Sequence, residues 1–325
     1  MSLQALLQIL ADGEFHSGES LGEAVGVSRA AVWKQLKKLD ALGLDCHSVK
    51  GRGYRLPGGI NLLHKSQLQS MFSNVVAAEL STIELALSLP STNRLAAEQA
   101  QQGDCHGRLY IAEQQTAGRG RRGREWASPF ARNLYFSLTW SFSGGAAALE
   151  GLSLVVGLAV LKGLAVEGID GVALKWPNDL LYQGRKLAGV LLEMSGDASG
   201  QCQVVIGVGV NVAMPNEAAA DVTQPWTDLQ RISGRELERN RILASLINTL
   251  VPMLQQFEQQ GFGAFREQWQ RYNAHQGQQV RLATERFSQQ GECVGVDRTG
   301  ALLLRTADGE QAFHGGELSL RPVSE

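Results

Sequence analysis

The sequence predicts an α+β protein in three parts. These are a small helical module with a hairpin, a central mixed sheet with helices, and a C-terminal β-domain. Three observations carry this reading. Residues 1–60 hold short capped helices followed by a glycine-tipped hairpin. Residues 61–272 alternate helical and strand patterns, and the hairpin-linked strands among them favour a mixed sheet over a purely parallel one. Residues 273–325 change to short strands separated by Gly, Asp and Thr. A length of 325 residues suits two or three domains.

The elements follow in order. Leu3, Leu6, Leu7 and Leu10 share one helical face, and Gly13 ends that helix. Ser17 opens a second helix with Leu21, Ala24 and Val25 inward, and Gly26 makes the turn. Ser28 caps a third helix, 29–42, stopped by Gly43. Strands at 46–49 and 54–56 flank Lys50-Gly51-Arg52-Gly53, and Pro57-Gly58-Gly59 reads as a linker. In the central part, helices are expected at 92–102, 147–167 and 239–260, and strands at 109–113, 133–140, 172–175 and 204–212. A hairpin joins 179–182 to 186–194. The last strands are 278–284, 291–297, 301–306 and 310–316, which read as a small β-barrel cap.

Composition excludes several classes. With 44% hydrophobic and 19% charged residues, the chain can build a core and is not disordered. A net charge of −2 excludes a generally basic nucleic-acid binder, so any such contact is local. Cys46, Cys105, Cys202 and Cys293 are far apart and form no CxxC, against a zinc ribbon or disulfide framework and in keeping with a reducing, cytoplasmic setting. The N-terminus lacks a basic n-region and reads as an amphipathic helix, not a signal peptide. The apolar stretch 152–166 is broken by Gly157 and Lys162 and falls short of the ~20 residues of a membrane span. No membrane partner is expected.

Helix, tight turn, helix and glycine-tipped hairpin form the winged helix-turn-helix pattern. Between Arg29 and Arg55 lie seven basic residues and two acidic ones. Ser28, Arg29, Lys34 and Gln35 are expected to face a major groove, and Lys50 and Arg52 of the wing to reach phosphates. So small a module reads a short half-site, so DNA binding implies a dimer. The alternative is a three-helix module used for protein contacts.

The sharpest feature runs from Gln115 to Trp126, QTAGRGRRGREW. Gly118, Gly120 and Gly123 formally give GxGxxG, but Ala127-Ser128-Pro129 opens no helix, so a dinucleotide site is rejected. Arg119, Arg121, Arg122 and Arg124 repel one another and call for an anion, which Arg can bind in a bidentate manner. Trp126 can stack on a base. Together these suit ATP-dependent activation of a carboxylic acid, the alternative being a basic loop that contacts RNA or DNA. In Lys175-Trp176-Pro177-Asn178-Asp179, Asp179 can help hold Mg²⁺ and Asn178 can contact phosphate or adenine; a capping turn is the plainer reading. Lys186 can set an ammonium against developing negative charge, or can be a solvated hairpin lysine. The glycines of Gly207-Val208-Gly209-Val210-Asn211 suggest close ligand approach. Ser91-Thr92-Asn93 is a helix N-cap whose polar groups can also bind a polar ring.

In this order, STN, QTAGRGRRGREW, KWPND, RKLAG and GVGVN behind a winged helix-turn-helix closely resemble the bifunctional biotin–protein ligase/biotin operon repressor family. The resemblance covers essentially the whole chain. It implies a central α/β ligase domain of the class II synthetase-like type and a C-terminal SH3-like β-barrel. It implies that biotin and ATP form biotinyl-5′-AMP, with Mg²⁺, and that biotin passes to a lysine of a biotin carboxyl carrier protein. The adenylate-bound homodimer would then repress biotin synthesis genes at operator DNA. Ser91, Thr92, Asn93, Gln115 and Thr116 match the biotin ring side, and Arg119, Gly120, Arg121 and Lys186 its carboxyl side. Arg121, Arg122, Arg124, Trp126, Asn178, Lys186 and Asn211 match the nucleotide side, with Arg121 and Lys186 in catalytic roles. Thr116 departs from some relatives, which carry a second Gln there; both are polar, and little change is expected. No protein nucleophile is required, in keeping with the lack of an activated Cys or a Ser-His-Asp set. The competing reading is a ligand-sensing transcription factor without ligase activity, and a further one is a ligase for lipoate or another short acid.

Overall fold

The computed structural model describes residues 3–103, 105–196, 200, 202–284, 287–315 and 318–322. The chain opens with α1 (Leu3–Leu10), α2 (Gly18–Val25) and α3 (Arg29–Leu36), then the antiparallel pair β1 (His47–Val49) and β2 (Gly53–Arg55). Serine hydroxyls start α2 and α3. Ser17 accepts the Ser20 N–H and Ser28 the Ala31 N–H. The inward stripe of α2 is Gly18, Leu21, Gly22 and Val25, while Ala24, expected inward, is exposed. Gly22 lies so close to the Val27 carbonyl that a Cβ would come to 2.5 Å of it, which fixes the helix on that face.

The third helix ends at Leu36 rather than 42. Beyond it Leu39 N–H bonds Leu36 O and Leu42 N–H bonds Leu39 O, a tighter winding that lets both Leu39 and Leu44 reach the core. That core is not closed by the module alone. Leu62, Phe130 and Ala131 complete it from the central part of the chain.

The central part carries α4 (Lys65–Met71), α5 (Asn74–Glu79), β3 (Thr82–Ala86), α6 (Thr92–Ala100), β4 (Arg108–Ala112), β5 (Leu134–Phe142) and α7 (Leu152–Val166). It continues with β6 (Val172–Lys175), β7 (Asp179–Tyr182), β8 (Arg185–Gly196), β9 (Cys202–Val210), α8 (Leu229–Ser233), α9 (Arg239–Gln260) and α10 (Arg266–Arg271). Seven strands form one sheet in the order β3-β4-β5-β9-β8-β7-β6. Only β3–β4 is parallel, so the sheet is mixed, as the hairpins foretold. α7 and α9 pack on each other and under this sheet. Eleven of the fifteen residues of α7 are buried, which accounts for an apolarity that by length and composition would suit a membrane span. The helix begins five residues later than expected because Gly151, at φ 78°, turns the chain against the Phe262 ring.

Strand alternation sorts the two faces. Val204, Ile206 and Val208 of β9 join the large core with α7 and α9, whereas Val205 clusters with Ala96 of α6 and Tyr110. Gly207 and Gly209 therefore lie on the α6 face.

Five strands follow: β10 (Gln279–Ala283), β11 (Ser288–Val296), β12 (Leu302–Thr306), β13 (Gly309–Phe313) and β14 (Ser319–Pro322). They form an all-antiparallel sheet ordered β13-β12-β11-β10-β14. Of the expected strand 310–316, residue 316 lies outside the described residues. The core of this sheet is continuous with the central one, and the Trp176 indole N–H donates to Gly300 O at 3.0 Å across the junction.

Candidate active site

The site is built on the α6 face, where β9 twice gives up its side chain. A Cβ on Gly207 would collide with the Asn93 amide, and one on Gly209 would sit 2.5 Å from the Trp126 ring. The expected close approach is thus real, but it is made by the chain's own side chains. Asn93 and Trp126 lie flat on the sheet because nothing projects beneath them.

Around Asn93 runs a closed polar network. Ser137 Oγ lies 2.8 Å from Thr92 Oγ1 and 2.6 Å from Asn93 Oδ1. Gln115 Oε1 accepts the Thr92 N–H and hydroxyl, and its amide donates to Ser128 Oγ. Asn93 Nδ2 donates to Glu193 Oε2 at 3.1 Å, and Arg119 pairs with the other Glu193 oxygen at 2.7 Å. Ser91 caps α6, and all three residues of Ser91-Thr92-Asn93 are buried. Five expected positions, Ser91, Thr92, Asn93, Gln115 and Arg119, thus meet in one place. Thr116 does not join them; its side chain is exposed and its N–H is held by Leu89 O.

The arginine-glycine segment folds back on itself. Gly120 N–H bonds Arg124 O at 2.7 Å, and the backbones at Arg119 and Glu125 pair antiparallel. Arg122 sits at φ 61° and, like Arg124, is exposed. Arg121 turns inward and donates to Asn178 Oδ1 at 2.9 Å, while Asn178 Nδ2 donates to Val190 O. Burial pushes the Arg121 guanidinium below its usual pKa; Asp179 opposes this, and Arg122 and Arg124 add to it. This loop and β8 enclose a cleft of about 530 Å³ whose wall includes Arg119, Arg121, Arg124, Leu191 and Glu193.

Around one carboxylate, Asp179, stand three cations: Arg121, Lys175 and Lys186. Lys186 Nζ is 2.7 Å from Asp179 Oδ1 and 5.3 Å from the Trp126 ring centroid. Lys175 is buried enough that its ammonium pKa is pushed down; Asp179 opposes the shift, and Lys186, Arg321 and Arg124 reinforce it. The buried Trp126 Nε1 has no hydrogen-bond partner. Asn211 is committed to the neighbouring loop, its Nδ2 donating to Thr227 O at 3.0 Å. Asp179, expected to help hold Mg²⁺, is instead the counter-ion of Lys186. Among the described residues no three His, Cys, Asp or Glu side chains converge on a metal. With one carboxylate among three cations, this set does not fit a resident metal ion.

Sequence reading missed Glu193, Ser128, Ser137 and Lys175. Alternation along the strands offered a signal for two of them. Ser137 and Glu193 fall on the same face as Gly207 and Gly209.

Three family models match the chain: the HTH domain over residues 2–55, the biotin/lipoate A/B protein ligase family over 85–211, and the biotin protein ligase C-terminal domain over 275–321. The bifunctional ligase/repressor BirA of Escherichia coli K12 is 41% identical over 98% of this chain and 97% of its own length. The chain belongs to the biotin protein ligase family. Within that family the BirA of Bacillus subtilis 168 is 29% identical over 95% of both chains. The biotin protein ligase of Aquifex aeolicus, solved with biotin and ATP, superimposes over 75% of this chain and all of its own with a TM-score of 0.64 at 28% identity. The helix-turn-helix, the mixed-sheet ligase fold and the antiparallel C-terminal sheet are thus those of this family of ligases.

The residues expected to face DNA belong to α3, its cap and the β1–β2 turn of the small module. Arg29 and Lys34 are exposed on α3, and Lys50 and Arg52 on the β1–β2 turn. Gln35 is half-buried, the Ser28 hydroxyl is used as the helix cap, and Arg52 stacks 4.1 Å over Phe15.

Proposed function

We propose that this chain joins biotin to ATP, giving biotinyl-5′-AMP and pyrophosphate, and then passes biotin to a lysine of a biotin carboxyl carrier protein. The observation that carries the reading is one continuous face. On it the polar network around Asn93 leads directly into the cluster of Arg121, Lys186 and Trp126. A polar bicyclic ring fits the first part. A nucleotide stacked on Trp126, with its phosphate among the cations, fits the second.

In the first step a biotin carboxylate oxygen attacks the α-phosphorus, and the bond to the bridging oxygen breaks as pyrophosphate leaves. Arg121 and Lys186 offset the charge that grows on the phosphate oxygens. Lys186 approaches from its pairing with Asp179, which makes Asp179 its orienting partner. In the second step the deprotonated carrier lysine attacks the acyl carbon, AMP leaves with the electron pair, and the amine proton goes to solvent. The loop at 117–125 shields the mixed anhydride from water meanwhile. Magnesium, if required, would be supplied with the nucleotide, since Asp179 is paired with Lys186.

The three parts divide the work: 1–60 for DNA, 61–272 for biotin and ATP, 273–325 as a β-domain flanking the nucleotide side. The adenylate-bound chain pairs into a homodimer, binds operator DNA and represses biotin synthesis genes in the cytoplasm.

The test is mass spectrometry of the protein with biotin, ATP and Mg²⁺, followed by addition of a carrier domain. Retained biotinyl-5′-AMP and then a biotin-sized gain on the carrier are expected. Neither product would leave a ligand-sensing DNA-binding protein as the better account. Arg121→Gly is expected to make adenylate but release it, seen as biotinylation of added bystander proteins; retention equal to the parent's would remove Arg121 from this role.

A further inference from the structure

Trp33 lies outside the buried core of its own module. The module's buried cluster uses Val32 and Leu36 of α3, while Trp33 points away with half its surface exposed. It is the one exposed tryptophan of the six in the chain. Lys37 Nζ stands 3.8 Å over its ring centroid and covers one face. Arg29, Ala30, Lys34, Lys37 and Lys38 are exposed around it. The module's other large exposed apolar residue among those described is Val49, beside Lys50 on the wing. An exposed aromatic ring with exposed basic neighbours thus stands on α3, in a stretch with seven basic residues against two acidic ones between 29 and 55.

We propose that Trp33 reads the C5 methyl group of a thymine in the major groove, with Arg29 and Lys37 on flanking phosphates. The inference rests on the DNA-binding reading of the helix-turn-helix and adds a base to it. Apolar side chains on a groove-entering helix distinguish thymine by that methyl group, and phosphates account for the cations around it. An acidic protein surface would also satisfy these cations; the place of Trp33 on the third helix of a helix-turn-helix domain favours DNA.

The full-length chain, supplied with biotin, ATP and Mg²⁺, is used to enrich duplexes from a random pool. Each thymine of an enriched duplex is then replaced by uracil, which lacks only the methyl group. At one position per half-site the parent protein is expected to lose roughly tenfold in affinity. Trp33→Ala is expected to lose a similar factor on the thymine duplex and to be indifferent to uracil there. Circular dichroism and the unfolding midpoint report whether the variant folds, and the uracil scan on the parent needs no variant. An enriched duplex with no uracil-sensitive thymine would overturn the proposal and leave DNA binding intact. So would Trp33→Ala keeping full affinity, or changing only self-association. Failure to enrich any duplex would overturn the DNA reading and this proposal together.

Discussion

Gly209 carries no side chain, yet more of the site depends on it than on many residues that do. An alanine Cβ there would stand 2.5 Å from the Trp126 ring, which would have to lift from β9. Overpacking of this kind costs about 1–3 kcal/mol. Gly209→Ala is therefore expected to slow adenylation at sub-saturating ATP by roughly tenfold, with biotin binding less affected; unchanged ATP dependence would sever Trp126 from the nucleotide. Lys175 makes a prediction about protons. Burial holds its pKa down in the ligand-free protein, with Asp179 pulling up and Lys186, Arg321 and Arg124 pushing down. A bound polyphosphate favours the ammonium and raises that pKa. At alkaline pH, below the ordinary lysine value of about 10.4, ATP binding should therefore take up protons. Calorimetry in buffers of different ionisation enthalpy measures this, and Lys175→Met should abolish it.

At the scale of elements, the start of α9 is the clamp that holds the linker after β2. Arg239, nearly fully buried, donates to the carbonyls of Asn61 and Asn133 and pairs with Glu113, which also accepts the Leu63 N–H. Asn240 accepts the His64 N–H and donates to Leu62 O. Leaving one partner of a buried pair uncompensated costs about 3–5 kcal/mol. Arg239→Met is expected to lose that much in urea unfolding, and a loss below about 1 kcal/mol would show the pair to be dispensable. None of this was legible in the sequence, because Glu113 and Arg239 are 126 positions apart and neither has a pattern around it. Long apolar or alternating runs were legible, as β5, β9 and α9 show. The short amphipathic helices α4 and α5 and the edge strand β3 were not, since each owes its form to α9 or β4 rather than to a strong periodicity of its own. In the site, glycine-rich runs and caps were legible. The meaning of Asp179 was not, because a lone carboxylate reads the same whether it awaits a metal or a lysine.

At the scale of the whole molecule, the segment from Trp126 to Ala131 joins two functions. One end is the indole over β9, and the other is Phe130 inside the core of the helical module. Between them Ser128 is tied to Gln115 and to Trp126 O, and the Tyr135 hydroxyl donates to Pro129 O. Removing residues 1–60 would uncover Phe130 and Leu62, at about 1.5–3 kcal/mol for each large side chain. The shortened chain is expected to release adenylate at least several-fold faster while still making it; release at the parent's rate would show the segment to be independent of the module. The same shared wall bears on ancestry and engineering. A reader of DNA cannot be exchanged between such proteins like a cartridge. A donor module would have to arrive with a hollow shaped for Phe130, or the recipient would have to surrender that ring, so the two halves are expected to have changed in step.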